Sequence, residues 1–329
     1  MKKILIIQTA SIGDVILATP LIEKLYDIFD DVLIDFLLKK GNESLFSRHP
    51  KLNKVIVLDK NTKKIQNLFK TFELIRNTKY DYIINIQRFA SSGLLTAFSG
   101  AKQTIGFKKN PFSIFFNKRI RHIIDKKTGI HEVERNLKLI ESFTSKDKYQ
   151  VKLYPSKKDF AKMSQYKTNS YICISPASLW FTKQYPIEKW IEFVKEIPKN
   201  YYIYFLGSKA DFELCDKIIK DSDLKNTLNF AGKLSFLESA ALMRDAHMNF
   251  VNDSAPMHLA SAMNAPISAI FCSTIPDFGF GPLSVNSAVI EIDHDLYCRP
   301  CGLHGHNRCP KKHFKCAYEI KKEQLLKRI

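Results

Sequence analysis

The sequence predicts an α/β protein built from two tandem doubly wound, Rossmann-like domains whose parallel sheets face each other across a cleft. Three observations lead there. Short apolar runs alternate with amphipathic stretches of helical period along most of the chain. The pattern pauses at the polar run Ser145-Lys146-Asp147-Lys148 and then restarts. The length, 329 residues, is too great for one small core and suits two domains of ordinary size. We place the boundary between domains 1–150 and 151–329.

Lys3-Ile4-Leu5-Ile6-Ile7 is a strand-length run of branched apolar residues, as expected of a buried parallel strand. Asp14 stands at the turn, and Val15, Ile16, Leu17, Leu21, Ile22 and Leu25 then recur at helical spacing. Ligands of such sheets bind outside the carboxyl ends of the strands, where Gly13 permits a sharp turn and Asp14 is delivered. Two roles stay open for Asp14: a catalytic carboxylate or, with Ser11, a helix cap. Val32 to Leu38 and Val55 to Leu58 continue the sheet. Ile65, Leu68, Phe69, Phe72 and Ile75 mark an amphipathic helix, and Tyr82 to Ile86 is a fourth strand with Gln87-Arg88 past its end.

Asn110 to His122 mixes aromatic and basic residues. Such a mixture suits an anionic bilayer, but we favour an ordinary loop and edge strand whose Phe residues enter the core. A helix begins at His131 and runs to about Phe143. Past the boundary, strands are expected at Tyr171 to Ser175, Tyr201 to Leu206, Met248 to Val251 and Pro266 to Phe271. Helices at Ile187 to Val194 and Glu238 to Arg244 lie among them.

The formal charge, 51 cations less 33 anions or +18, points to polyanionic partners or to a merely soluble surface. The basic residues are scattered and carry no RNA-binding signature, so a nucleic-acid partner is not expected. No run approaches the ~18 apolar residues of a spanning helix, and a cytoplasmic protein is expected. No Gly-x-Gly-x-x-Gly follows the first strand, which argues against an oxidoreductase.

Asn252-Asp253-Ser254-Ala255-Pro256-Met257-His258 follows a strand with polar capping residues and a Pro where the first helical turn tolerates one. The amides and positive dipole end of that helix suit a pyrophosphate; an ordinary capped helix is the alternative. Ser178 to Pro186, with Lys183, follows the first strand of the second domain.

Gln8 to Pro20, with its Ser-x-Gly-Asp-Val core, resembles the opening of the heptosyltransferase family of bacterial glycosyltransferases, although many members carry Lys where this chain has Gln8. The run at 252–260 resembles the family's donor-binding motif, with Ala255 in place of the usual Gly. The likeness spans nearly the whole chain and implies a GT-B architecture and inverting transfer of heptose from ADP-heptose to the lipopolysaccharide inner core. It implies Asp14 as general base and Lys183 as the cation on the departing ADP. Ser178, Thr182, Gly207, Asp253, Ser254, Ala255 and His258 would bind the donor. Ser11, Gly13, Arg88 and Arg135 would bind the acceptor, since an Arg fork meets two anionic oxygens at once. The expected partners are a nucleotide-sugar donor and a lipopolysaccharide core acceptor, with peripheral contact at the inner face of the inner membrane. Transfer of another nucleotide-activated sugar, or a basic membrane- or RNA-binding protein without activity, are the alternatives.

Cys298, Cys301, Cys309 and Cys316 cluster near the C-terminus with three His residues among them, as a structural zinc site, free thiols or disulfides would have them. No Asp-x-Asp pair stands in a metal-binding context, so no cofactor is required, although an assisting magnesium is compatible with the chemistry.

Overall fold

The computed structural model describes residues 1–329. It divides into two compact units, Met1–Asp125 with Ile130–Tyr154, and Lys126–Gly129 with Pro155–Ile329. The division falls at Tyr154–Pro155, a few residues beyond the sequence boundary.

Unit 1 runs β1 (Lys2–Gln8), α1 (Ile12–Ile16), α2 (Thr19–Ile28), β2 (Val32–Lys39), β3 (Lys54–Leu58), α3 (Lys64–Thr78), β4 (Tyr82–Asn85), α4 (Ala90–Ala97), β5 (Gln103–Phe107), β6 (Lys118–Ile120) and α5 (Glu132–Leu137). Its sheet is wholly parallel in the order β3-β2-β1-β4-β5-β6. Ile4 to Ile7 of the central strand are completely buried, which explains why both faces of β1 are apolar. Each such side chain contributes about 1.5–3 kcal/mol of burial.

The single helix expected after β1 is two. Thr19 Oγ1 hydrogen-bonds the Ile16 carbonyl at 2.8 Å, and Pro20 sits in the first turn of α2, where its missing N–H costs nothing. Asp14 therefore lies inside α1 rather than in the turn before it. The helix expected from His131 to Phe143 stops at Leu137.

Unit 2 runs α6 (Lys157–Ser164), β7 (Tyr171–Ser175), α7 (Ile187–Lys195), β8 (Tyr202–Phe205), α8 (Phe212–Ser222), β9 (Thr227–Asn229), α9 (Phe236–Arg244), β10 (Met248–Asn252), α10 (Ala255–Ala262), β11 (Ile267–Ile270), β12 (Ser287–Ile290), α11 (Lys315–Tyr318) and α12 (Lys322–Leu326). Its sheet, β12-β11-β10-β7-β8-β9, repeats the strand order of the first. Trp190, Phe193 and Phe250 form its core together with Phe314, Cys316, Ala317, Ile320 and Leu325, so the C-terminal segment packs as part of unit 2. No helix is long and apolar enough to cross a membrane.

In each sheet the strand order reverses beside the first strand, between β1 and β4 and between β7 and β10. Crevices form at the carboxyl ends of such neighbours because their connections leave in opposite directions.

Candidate active site

In unit 1 the β1 carboxyl end delivers Gln8, Thr9 and the α1 start, and β4 delivers Gln87 and Arg88. Ser11 is the N-cap of α1, and its N–H donates to Asp14 Oδ2 at 3.2 Å while its hydroxyl donates to the same oxygen. The capping role is thus present, and it fixes a half-exposed carboxylate at the edge where a ligand would lie. Gly13 is buried beneath it in α1.

Gln8 is buried and accepts a hydrogen bond from the Gln87 side chain, which links the two strands of the switch point. Lys60, a residue that sequence patterning did not single out, donates to Thr9 Oγ1 at 2.7 Å and to the Thr9 carbonyl at 3.3 Å. Burial lowers its pKa, assisted by Lys39. Its place just past β3 was the one available signal.

Arg88 is exposed and lies over the Phe89 ring. Arg135 differs from the expectation of an outward-facing fork. It is 3% exposed, its Nε donates to Glu132 Oε2 at 2.6 Å, and a terminal nitrogen donates to the Ile130 carbonyl. Glu132 also meets His122 at 3.0 Å. Burial pushes the Glu132 carboxyl up, but His122 and Arg135 outweigh it and the net shift is downward. These bonds make Arg135 a strut within unit 1, because a buried guanidinium needs its carboxylate.

In unit 2 the β7–α7 loop and the β10–α10 turn converge. Lys183 Nζ lies 2.7 Å from Asp253 Oδ2, and Thr274 Oγ1 donates to the same oxygen at 2.6 Å. The Asp253 N–H is bonded to the Ile270 carbonyl. Asp253 is therefore committed to holding Lys183, and a carboxylate is the wrong charge to receive a phosphate. Thr274, past the end of β11, was not singled out from the sequence.

Ser254 begins α10 without capping it, since its hydroxyl turns back to the Asn252 carbonyl at 3.3 Å. With Ser254 and Ala255 half-exposed, the α10 N-terminus faces outward with no side-chain cap. Ser178 Oγ reaches the Asp253 carbonyl at 3.5 Å. Asn252 ties the two loops together, its side chain donating to the Pro176 carbonyl at 2.7 Å and accepting from the Tyr185 N–H at 3.1 Å. His258 is buried in α10. Gly207 follows β8, where a Cβ would stand 2.9 Å from that of Asp211.

Thr182 differs from its expected place among ligand-facing hydroxyls. It is fully buried, accepting from the His306 N–H at 2.8 Å and from Ser273 Oγ at 3.0 Å. It thereby staples the Lys183 loop to the Cys-rich segment. Arg299 reinforces the staple by donating to the carbonyls of Cys272 at 2.7 Å and Thr274 at 2.8 Å.

The cysteines do not form the closed tetrahedral set that structural zinc takes. Nowhere do three or more His, Cys, Asp or Glu side chains gather as a metal-ligand group, so the residues also give magnesium no cluster. Cys298 Sγ lies 3.8 Å from His313 Nε2, while Cys301 Sγ turns to the Cys298 carbonyl at 3.2 Å. Cys316 belongs to the core, and burial, with Cys301 and Cys309 nearby, pushes its thiol up to about 12.

Comparison with known proteins agrees with this layout. The profile of glycosyltransferase family 9 (heptosyltransferase) matches residues 68–312. Lipopolysaccharide heptosyltransferase 3 of Escherichia coli is 27% identical over 280 residues, 80% of this chain and 81% of that protein. Lipopolysaccharide heptosyltransferase 2 of E. coli K12 is 24% identical over 310 residues, 88% of each chain. The structure of E. coli ADP-heptose lps heptosyltransferase II superposes with a TM-score of 0.80 at 22% identity, covering 100% of this chain and 97% of that one, which establishes the GT-B fold. The chain belongs to glycosyltransferase family 9, the heptosyltransferases, and is a glycosyltransferase.

Proposed function

We propose that the protein transfers heptose from ADP-heptose to an acceptor of the lipopolysaccharide inner core, with inversion at the anomeric carbon. The observation that carries this reading is the cluster at the unit 2 switch point: the Lys183 ammonium, held by Asp253, beside the uncapped start of α10. An ammonium and the positive dipole end of α10 together suit a pyrophosphate, with the Ala255 amide as the first-turn donor, since Pro256 has no N–H and the Met257 N–H bonds the Ser254 carbonyl at 3.1 Å. The names of the similar heptosyltransferases support the sugar and acceptor.

In the reaction, the acceptor hydroxyl oxygen attacks the anomeric carbon while Asp14 takes its proton. The bond from that carbon to the phosphate oxygen breaks, and ADP departs with the electron pair. General-base help contributes ~10²- to 10⁴-fold. A fixed cation at the leaving group is worth ~10²- to 10³-fold, by analogy with other charge-stabilising donors. Asp253 serves as a positioning residue for Lys183, and Thr182 and Asn252 position the loops. Unit 1 supplies the base, with Ser11 and Arg88 as acceptor-side polar groups, and unit 2 supplies the anion cradle.

The test is ADP release from ADP-heptose on addition of a deacylated core acceptor, with other nucleotide sugars as parallel donors. Release that requires both ADP-heptose and acceptor is the expected result. Release from a different nucleotide sugar alone would replace the donor assignment.

A further inference from the structure

The segment after β5 carries a feature that glycosyl transfer does not use. Phe98, Phe112 and Phe115 form a contiguous ring cluster with centroids 5.7–6.5 Å apart. Phe98 and Phe115 are 46% and 59% exposed, and Ile114 stands out at 70%. Where core entry was expected of these Phe residues, only Phe116 turns fully inward, against Gly106.

The outward residues are held rigidly. The buried Asn110 side chain donates to the Gln87 and Phe89 carbonyls at 2.9 and 3.1 Å and accepts from the Phe112 N–H at 2.9 Å. Ser113, also buried, bonds the Lys108 carbonyl at 3.1 Å. Gly93 of α4 lies so close to this loop that a Cβ would overlap the Asn110 side chain. A buried frame thus fixes Ile114 and Phe115 in water, where each forgoes about 1.5–3 kcal/mol of burial.

The segment that carries the cluster has charge of one sign. Between Asp81 and Asp125 there is no carboxylate. Lys108, Lys109, Arg119 and Arg121 are exposed and make no ion pair, whereas exposed lysines elsewhere are often paired, as Lys102 with Asp81, Lys162 with Glu238 and Lys321 with Asp293. Single exposed apolar residues are ordinary; a contiguous aromatic cluster in a segment whose exposed charges are all cations marks an interaction surface.

We propose that this knuckle docks unit 1 on an anionic phospholipid bilayer, with Ile114 and Phe115 entering the headgroup–acyl boundary and the four cations resting on lipid phosphates. An aliphatic tip suits acyl chains. The rings pack on one another instead of lying open as stacking platforms for bases, which disfavours nucleic acid. The use of the docking, to bring the enzyme to a lipid-anchored acceptor, rests on the proposed transfer reaction; the docking itself does not.

The experiment is cosedimentation of the full chain with vesicles of phosphatidylcholine alone or mixed with phosphatidylglycerol. Binding to the anionic vesicles only is expected. One cation near such a surface changes binding by about fivefold, so Lys108→Gln with Lys109→Gln should weaken it by about 30-fold. Ile114→Ser with Phe115→Ser should weaken it at least tenfold. Both pairs are at the surface, so thermal melting and ADP release with the soluble acceptor should match wild type. Absence of transfer by wild type in that assay would defeat the functional reading while leaving the vesicle result intact. The docking proposal is overturned by equal binding to neutral vesicles, by no binding, or by undiminished binding of either double variant. It is equally overturned if the same variants instead abolish self-association or retention on RNA while vesicle binding persists.

Discussion

Replacing Lys183 by Met separates two consequences that a single substitution would confound. At 2.7 Å and an effective dielectric constant of ~20, the attraction between Lys183 and Asp253 is about 6 kcal/mol before desolvation, which offsets most of it. The cost of the substitution is set by what remains. Asp253, with its side chain 8% exposed, keeps only the Thr274 hydroxyl on its Oδ2. An under-satisfied buried carboxylate costs roughly 1–3 kcal/mol, so the melting temperature should fall by about 4–8 °C for a 2 kcal/mol loss in a domain of this size. Turnover should fall further, by ~10²- to 10³-fold, because the leaving ADP loses its cation. Adding Asp253→Asn removes the stranded charge, and stability should largely return while turnover stays low. The assay is a thermal melt paired with steady-state ADP release on the single and double variants. Recovery of turnover in the double variant would refute a role for Lys183 on the leaving group.

Three further outcomes follow from the geometry. Gly305→Ala places a Cβ 3.0 Å from Thr182 Oγ1 and 3.2 Å from Lys183 Cγ at a φ of +78°, so kcat should fall along with the melting temperature, read by the same two assays. Thr182→Val keeps the shape but strands the His306 N–H and Ser273 Oγ, and should cost about 1–3 kcal/mol in denaturant unfolding, with Thr182→Ser restoring most of it. Burial, reinforced by Lys51 and Lys152, lowers the His49 pKa to about 4. The folded state thus holds this imidazole neutral, and the unfolded chain binds the extra proton first. Stability from this group is complete above pH 6.5 and is lost as pH falls toward 4, by up to ~3 kcal/mol. Denaturant melts of wild type and His49→Gln at pH 7 and pH 5 should differ in that slope.

Much of the fold was legible because parallel strands buried on both faces write themselves as apolar runs, as at Ile4 to Ile7 and Tyr171 to Ser175. β5 was not, since Gln103-Thr104-Ile105-Gly106-Phe107 lies toward the sheet edge and mixes polar with apolar residues, whereas β6 at Lys118–Ile120 is the edge strand expected within Asn110 to His122. Loops at both switch points could be found from where strands end. The partners within them could not. Asp253 holds Lys183 across 70 positions of sequence, and Thr182 is sealed by His306 from the Cys-rich segment. Arg135 was a candidate anion receptor because the sequence shows Glu132 three positions before it but not that the two are buried together and bonded to each other. The knuckle at Ile114–Phe115 was mistaken for core because aromatic residues are usually buried, and only the placement of Asn110 and Gly93 reveals which ones are held outside.

The most direct test of the central claim is single-turnover transfer by Asp14→Asn. Asparagine can still accept the Ser11 bonds that fix α1, so folding and ADP-heptose affinity should match wild type. Heptose transfer should slow by ~10²- to 10⁴-fold. Transfer at the wild-type rate would contradict the account.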